Sequence, residues 1–232
     1  MRRFWNGNGR GKICLPIVER SLAGARGALA RANPLADLIE LRMDFLHDRR
    51  LAPLLDASER PLIVTNRRAE EGGRFRGREE KRFETLQEGI ELGAEFVDVE
   101  LGSKPSLLRD LMSHRKRTRL ILSFHDFEKT PRRRELESLL ARMMELGPEV
   151  VKIVTLARTM EDNVSILSFL SSARKQKQIV VAFCMGEKGK MSRVFAPLMG
   201  SAWTYASLDK DRTSAPGQLT AIEMREIWER LG

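Results

Sequence analysis

The chain has 232 residues, 42% hydrophobic and 31% charged, a balance that suits a globular protein with a large core, either one α/β barrel or two small domains. No apolar run reaches the ~20 residues that span a bilayer, and Met1 to Lys12 has charges and glycines but no apolar stretch of a secretory signal. The net charge of +9 is spread over Arg49-Arg50, Arg115-Lys116-Arg117 and Arg132-Arg133-Arg134 without interleaved aromatics, which argues against a single-strand nucleic-acid platform and leaves room for a small anionic ligand.

Residues 1–11 read as a loose leader and 12–232 as one domain. Lys12 to Ile17 is a first strand. Ser21 is placed to cap a helix that ends near Ala32, where Asn33-Pro34 breaks it. Asp37 to Arg42 is the second strand, followed by a weak helix around Arg49 to Ala57. Pro61 to Asn66 is the third strand, and it opens onto a long polar loop, Arg67 to Gly77, expected to be mobile and to act as a lid. Glu80 to Gly93 has Phe83, Leu86 and Ile90 at helical spacing. Phe96 to Leu101 is the fourth strand, and Pro105 opens the next helix. Arg119 to His125 is the fifth strand, followed by a helix with Leu136, Leu139, Leu140 and Met143 inward.

The sixth strand, Glu149-Val150-Val151-Lys152-Ile153-Val154-Thr155, is a β-branched apolar run with a lysine in its middle. Such runs are fully buried strands. A lysine there is costly to keep charged, and a desolvated amine is a nucleophile. Snorkelling to the strand end, or pairing with a buried carboxylate, is the structural alternative. Asp162 is placed to cap the next helix, with Val164, Leu167 and Leu170 inward. Ile179 to Met185 is the seventh strand, followed by a Gly-rich loop and a short helix near Ser192 to Met199. Ala202 to Ala206 is the eighth strand, and Gln218 to Leu231 the last helix. Cys14 and Cys184 fall in buried strands and read as reduced core thiols of a cytoplasmic protein. His47, His114 and His125 have no metal-ligand spacing, so nothing points to zinc.

Eight strands alternating with helices predict a (β/α)8 barrel, with a doubly wound sheet as the other possibility. That sheet would carry a glycine fingerprint after its first strand, and Pro16-Ile17-Val18-Glu19 has none. In a barrel the chemistry sits at the C-terminal strand ends. Glu40 and Arg42, with Asp44 beyond, end strand two. Arg67 and Glu71 follow strand three, and His125-Asp126 ends strand five. Lys152 lies in strand six, and Arg193, Ser214 and Gln218 lie in the last loops. Each has a structural alternative: an ion pair for Glu40 and Arg42, a core histidine, a surface arginine, or a turn at Ser214. Asp98 and Glu100 read as barrel-interior carboxylates paired with bases. As a set they have a chemical logic. A lysine forms an imine with a ketone, a histidine moves the proton made acidic by it, and arginines hold a carboxylate. The reaction expected is loss of water from a β-hydroxy ketone, with no metal or organic cofactor. An aldolase that forms the same imine is the competing enzyme.

The motifs Glu40-Leu41-Arg42-Met43-Asp44, Thr65-Asn66-Arg67 with Glu71-Gly72-Gly73, Ser123-Phe124-His125-Asp126-Phe127 and Val151-Lys152-Ile153 occur in that order. Met185-Gly186 with Gly189, Ser192-Arg193 and Ser214-Ala215-Pro216-Gly217-Gln218 follow. In this order the chain resembles the type I 3-dehydroquinate dehydratases, from Ile13 to the last helix. The resemblance implies dehydration of 3-dehydroquinate to 3-dehydroshikimate in the shikimate pathway by syn elimination. It implies Lys152 as the imine-forming residue, His125 as general acid/base and Glu71 as its orienting partner. It implies that Arg193 and Gln218, with Ser214 beside them, hold the substrate carboxylate and a hydroxyl. Glu40, Arg42 and Arg67 would contact the remaining hydroxyls. A homodimer is also implied.

Overall fold

The computed structural model describes residues 11–211 and 214–231, so most of the expected leader, residues 1–10, lies outside the described residues. Eight strands form one parallel sheet: β1 Ile13–Ile17, β2 Leu38–Arg42, β3 Leu62–Thr65, β4 Phe96–Glu100, β5 Arg119–Asp126, β6 Val150–Leu156, β7 Val180–Met185 and β8 Thr204–Tyr205. Neighbours follow chain order, and β8 pairs with β1, matching Cys14 to Tyr205. The sheet closes between β7 and β8 through the Ala202 amide, which donates to the Val180 carbonyl at 2.8 Å. The result is the expected (β/α)8 barrel.

The helices among the described residues are α1 Leu22–Ala32, α2 Ala52–Leu55, α3 Glu79–Glu91, α4 Pro105–Ser113, α5 Arg133–Met144, α6 Glu161–Lys175, α7 Lys190–Met199 and α8 Ala221–Leu231. Ser21 caps α1 as its position predicts, its Oγ accepting from the Gly24 amide at 3.1 Å. α2 is a single turn, shorter than the stretch from Arg49 to Ala57 suggests. None of the helices is long and apolar enough to cross a membrane.

Two expectations for α6 are corrected. Asp162 lies inside the helix, and its carboxylate accepts from the amides of Arg158 and Thr159 in the loop before it. Val164 is 57% exposed, because the inward stripe runs through Asn163, Ile166, Leu170 and Ala173 instead. Asn163 takes a core position for its polar reach. It donates to the Lys188 carbonyl and accepts from the Ser192 amide, clamping the loop ahead of α7.

Alternation along the strands divides the core in two. Val151 and Ile153 are fully buried, on the side of β6 opposite Lys152. Inside the barrel Phe96 and Trp203 close the floor, their rings 5.8 Å apart. Two residues further along each strand come Asp98 and Tyr205. Register then sets levels: Arg42, Thr65 and Asp98 are successive partners across β2, β3 and β4, as are Glu100, Ser123 and Lys152 across β4, β5 and β6. The barrel is therefore apolar at its floor and charged at its mouth.

Candidate active site

A cavity of about 170 Å³ opens at the C-terminal ends of the strands, a size for a small molecule. All nine residues expected from the sequence line it: Glu40, Arg42, Arg67, Glu71, His125, Lys152, Arg193, Ser214 and Gln218. They come from six separate stretches of chain.

Lys152 is the inward residue of β6 and only 4% exposed. Its Nζ lies 3.0 Å from Asp98 Oδ2, 3.3 Å from Glu40 Oε1 and 3.1 Å from the Tyr205 hydroxyl. The sequence had suggested an amine kept reactive by apolar neighbours. The structure corrects this: Val151 and Ile153 point away, and the amine has two carboxylates and a phenol around it. Burial alone would raise the Asp98 pKa, but Arg67 and Lys152 outweigh it and hold the group far below the usual carboxylate range. Asp98 also accepts from Arg67 at 2.8 Å and from Ser123 at 2.7 Å. Arg67 reaches Ser123 at 2.7 Å and Glu100 at 3.1 Å, and Glu100 is further paired with Arg82. Asp98 and Glu100 are thus interior carboxylates paired with bases, as expected. Arg42 makes a two-pronged pair with Asp44, at 2.9 and 2.8 Å. Glu40 accepts from Thr65 at 2.8 Å as well as from Lys152.

His125 ends β5, and its Nδ1 lies 2.9 Å from Glu71 Oε2. Burial, with Arg67 and Lys152 close by, pushes the His125 pKa well below its ordinary value, so the free ring is neutral. Burial also raises Glu71, to about 7, against Arg67 and with help from Glu100 and Asp98. Glu71 sits in the 67–77 loop, which is tied down rather than loose. Residues 69–71 form a 3-10 turn, and Asp44 accepts from the amides of Arg67 and Arg74. Gly73 packs so closely that a Cβ would stand 2.0 Å from the Arg67 carbonyl oxygen.

The opposite wall is different. Arg193 projects from the first turn of α7 and is 1% exposed. Its sequence alternative, a surface arginine, is excluded. Its guanidinium carbon lies 4.6 Å from the centre of the Phe183 ring, and its polar contact is a long one, 3.5 Å, to the Pro216 carbonyl. Its Nε is buried without a hydrogen-bond partner among the described residues. Burial lowers its pKa to about 10. Beside it Gln218 and Ser214 bond each other: Gln218 Oε1 accepts from the Ser214 amide at 2.8 Å, and Gln218 Nε2 donates to Ser214 Oγ at 3.0 Å. Gly217 lets this turn lie on the backbone after β7. Its φ is +76°, and a Cβ there would stand 2.2 Å from the Gly186 oxygen.

Sequence reasoning missed Tyr205, which reaches the lysine nitrogen, and the apolar lining of Phe127, Val154, Phe183 and Met185. The signal for Tyr205 was its place in the eighth predicted strand, two residues after an aromatic that plugs the barrel. The arrangement as a whole can hold an anion at Arg193. It can present an amine to a carbonyl, and move a proton at His125.

The family model described as Type I 3-dehydroquinase matches residues 13–232. A 3-dehydroquinate dehydratase of Methanocaldococcus jannaschii is 34% identical over 220 residues, covering 93% of this chain and 97% of the relative. One of Thermococcus gammatolerans is 40% identical over 213 residues, covering 91% and 94%. Among solved structures, a type I 3-dehydroquinate dehydratase from Clostridium difficile with covalent modified comenic acid superposes with a TM-score of 0.89 at 28% identity, over 97% of this chain and 94% of that one.

Proposed function

Because the chain belongs to the type I 3-dehydroquinase family, we propose that it dehydrates 3-dehydroquinate to 3-dehydroshikimate by syn elimination through an imine on Lys152. The observation that supports this best is the meeting of three unlike groups in one cavity: a buried amine, a histidine–carboxylate pair and a buried arginine without a carboxylate partner among the described residues. Arg193 binds the substrate carboxylate, with Ser214 and Gln218 releasing their mutual bonds to a hydroxyl. Lys152 passes a proton to the carboxylates beside it and attacks the ketone, and that proton returns to the carbinolamine oxygen as it leaves as water, giving a protonated imine. The cationic C=N draws electrons from the neighbouring carbon, whose hydrogen becomes acidic. His125 takes that proton, the new carbon–carbon double bond forms, and the β-hydroxyl leaves with a proton returned by His125. Water then hydrolyses the imine and frees Lys152.

Glu71 suits a residue that must act both ways. When Glu71 is ionised, Nδ1–H donates to it and the Nε2 lone pair is free to act as a base. When Glu71 is protonated, its O–H donates to Nδ1 and Nε2 carries the hydrogen, ready to act as an acid. A carboxyl that titrates at about 7 allows both states near neutral pH. Glu40, Arg42 and Arg67 face the remaining hydroxyls, although their polar atoms already have protein partners. The homodimer and the cytoplasmic location are carried to this chain on the same footing.

Borohydride reduction with 3-dehydroquinate, followed by mass mapping, tests the central step. Label on Lys152 is expected. Label on another lysine, or none, removes the imine mechanism.

A further inference from the structure

Beside Lys152 stands a group for which the steps above have no use. Tyr205 is the inward residue of the two-residue strand β8, 3% exposed, and its hydroxyl accepts from Lys152 Nζ at 3.1 Å. The Nζ also lies 4.4 Å from the centre of the Tyr205 ring, and that ring packs on Phe183 at 5.8 Å. The ring is therefore fixed, and its hydroxyl lines the cavity next to the reacting nitrogen.

Imine formation has a proton problem at this point. When the amine lone pair forms the N–C bond, the carbonyl π pair moves to oxygen, leaving a cationic nitrogen and an anionic oxygen on one carbon. A proton must go from that nitrogen to that oxygen to give the neutral carbinolamine. Direct transfer closes a strained small ring. A hydroxyl touching the nitrogen can accept the N–H proton and give up its own to the oxygen, ending unchanged. In the steps above His125 acts later, on the neighbouring carbon. Asp98 and Glu40 are acceptors only while ionised.

We propose that Tyr205 is a catalytic residue of imine formation and hydrolysis, its phenol relaying one proton between Lys152 Nζ and the substrate oxygen. The inference rests on the imine mechanism above. Burial, with Glu40, Cys14 and Asp98 nearby, raises the phenol pKa well above its ordinary value, which keeps the group protonated and favours a concerted relay over a free phenolate.

Rapid-quench borohydride trapping measures both directions. In Tyr205→Phe the imine should form ~100-fold more slowly, a usual share for positioned acid–base catalysis. Imine hydrolysis should slow by the same factor, leaving the equilibrium imine fraction as in the parent. A packing role predicts a changed fraction or no kinetic change, and either result overturns the relay. The chain has a single tyrosine, so growth on a fluorinated tyrosine replaces Tyr205 alone even if the phenylalanine variant misfolds. The alkaline limb of the imine-formation rate should then move to lower pH, and an unmoved limb overturns the proposal. A parent that gives no trapped lysine instead removes the mechanism on which the relay rests.

Discussion

Two buried cations stand on opposite sides of one cavity, and their surroundings differ in kind. Lys152 sits on the β2–β6 side among carboxylates contributed by Glu40 and Asp98. Arg193 sits on the β7–β8 side over an aromatic face, with one long contact to a carbonyl. The first cation has its countercharge built into the fold. The second has none among the described residues, so a ligand that brings a carboxylate gains a charge-assisted bond while relieving a buried charge. One side is organised for chemistry before substrate arrives, and the other is completed by it.

The contrast can be broken in graded ways. The largest effect is expected at the reacting side. His125→Ala should still form the imine, yet kcat should fall by ~10²–10⁴-fold, and near-parent turnover would deny the ring its acid–base role. Asp98→Asn comes next. It leaves Arg67 and Lys152 short of a carboxylate in the barrel interior, and unfolding in urea should register a loss of about 3–5 kcal/mol. A loss below about 1 kcal/mol would mean that Glu40 and Glu100 suffice, and that the charge balance is looser than described.

Glu71→Gln probes the raised carboxyl through stability. The folded pKa of Glu71, about 7, lies above its ordinary 4.5, so its protonated form favours folding below 4.5 and that contribution is lost as pH rises through 7. Relative to the parent, the glutamine variant should gain stability over that window, by roughly 3 kcal/mol from linkage. A pH-independent difference between the two proteins would contradict the assigned shift. The smallest effect is on the other side. Arg193→Met should raise KM ~10–100-fold with a smaller change in kcat, and the ligand-free variant should melt higher than the parent. A lower melting temperature would show that Arg193 is already satisfied in the free protein, and the distinction between the two walls would fall.

The barrel was legible because its strands are short apolar runs at regular spacing. The residues at the strand ends were legible because alternation fixes which side they face. His125 and Glu71 were paired through motif order, and the structure joins them at 2.9 Å. Less legible was which groups share a charge. Arg67 and Arg42 were expected to face substrate hydroxyls, and they do line the cavity, but their guanidinium groups are spent on Asp98, Glu100 and Asp44. Register across the sheet decides such partnerships, and one strand's pattern does not contain it. Lys152 was misjudged for the same reason, since neighbours in sequence lie on the other face. Val164 was misplaced because a polar residue, Asn163, holds an inward position. Tyr205 escaped because β8 is two residues long and the strand it pairs with, β1, belongs to the other end of the chain.

That late pairing bears on how the molecule is made. The groups around Lys152 come from positions 40, 98 and 205, and β8 is the last strand in the chain. During synthesis β1 must therefore wait, one edge unpaired, until the chain has emerged through residue 205. An unpaired strand edge invites pairing with another chain. A nascent chain arrested before Tyr205 would hold a barrel with an open seam and an amine missing one of its neighbours, the form most exposed to chaperones and proteases.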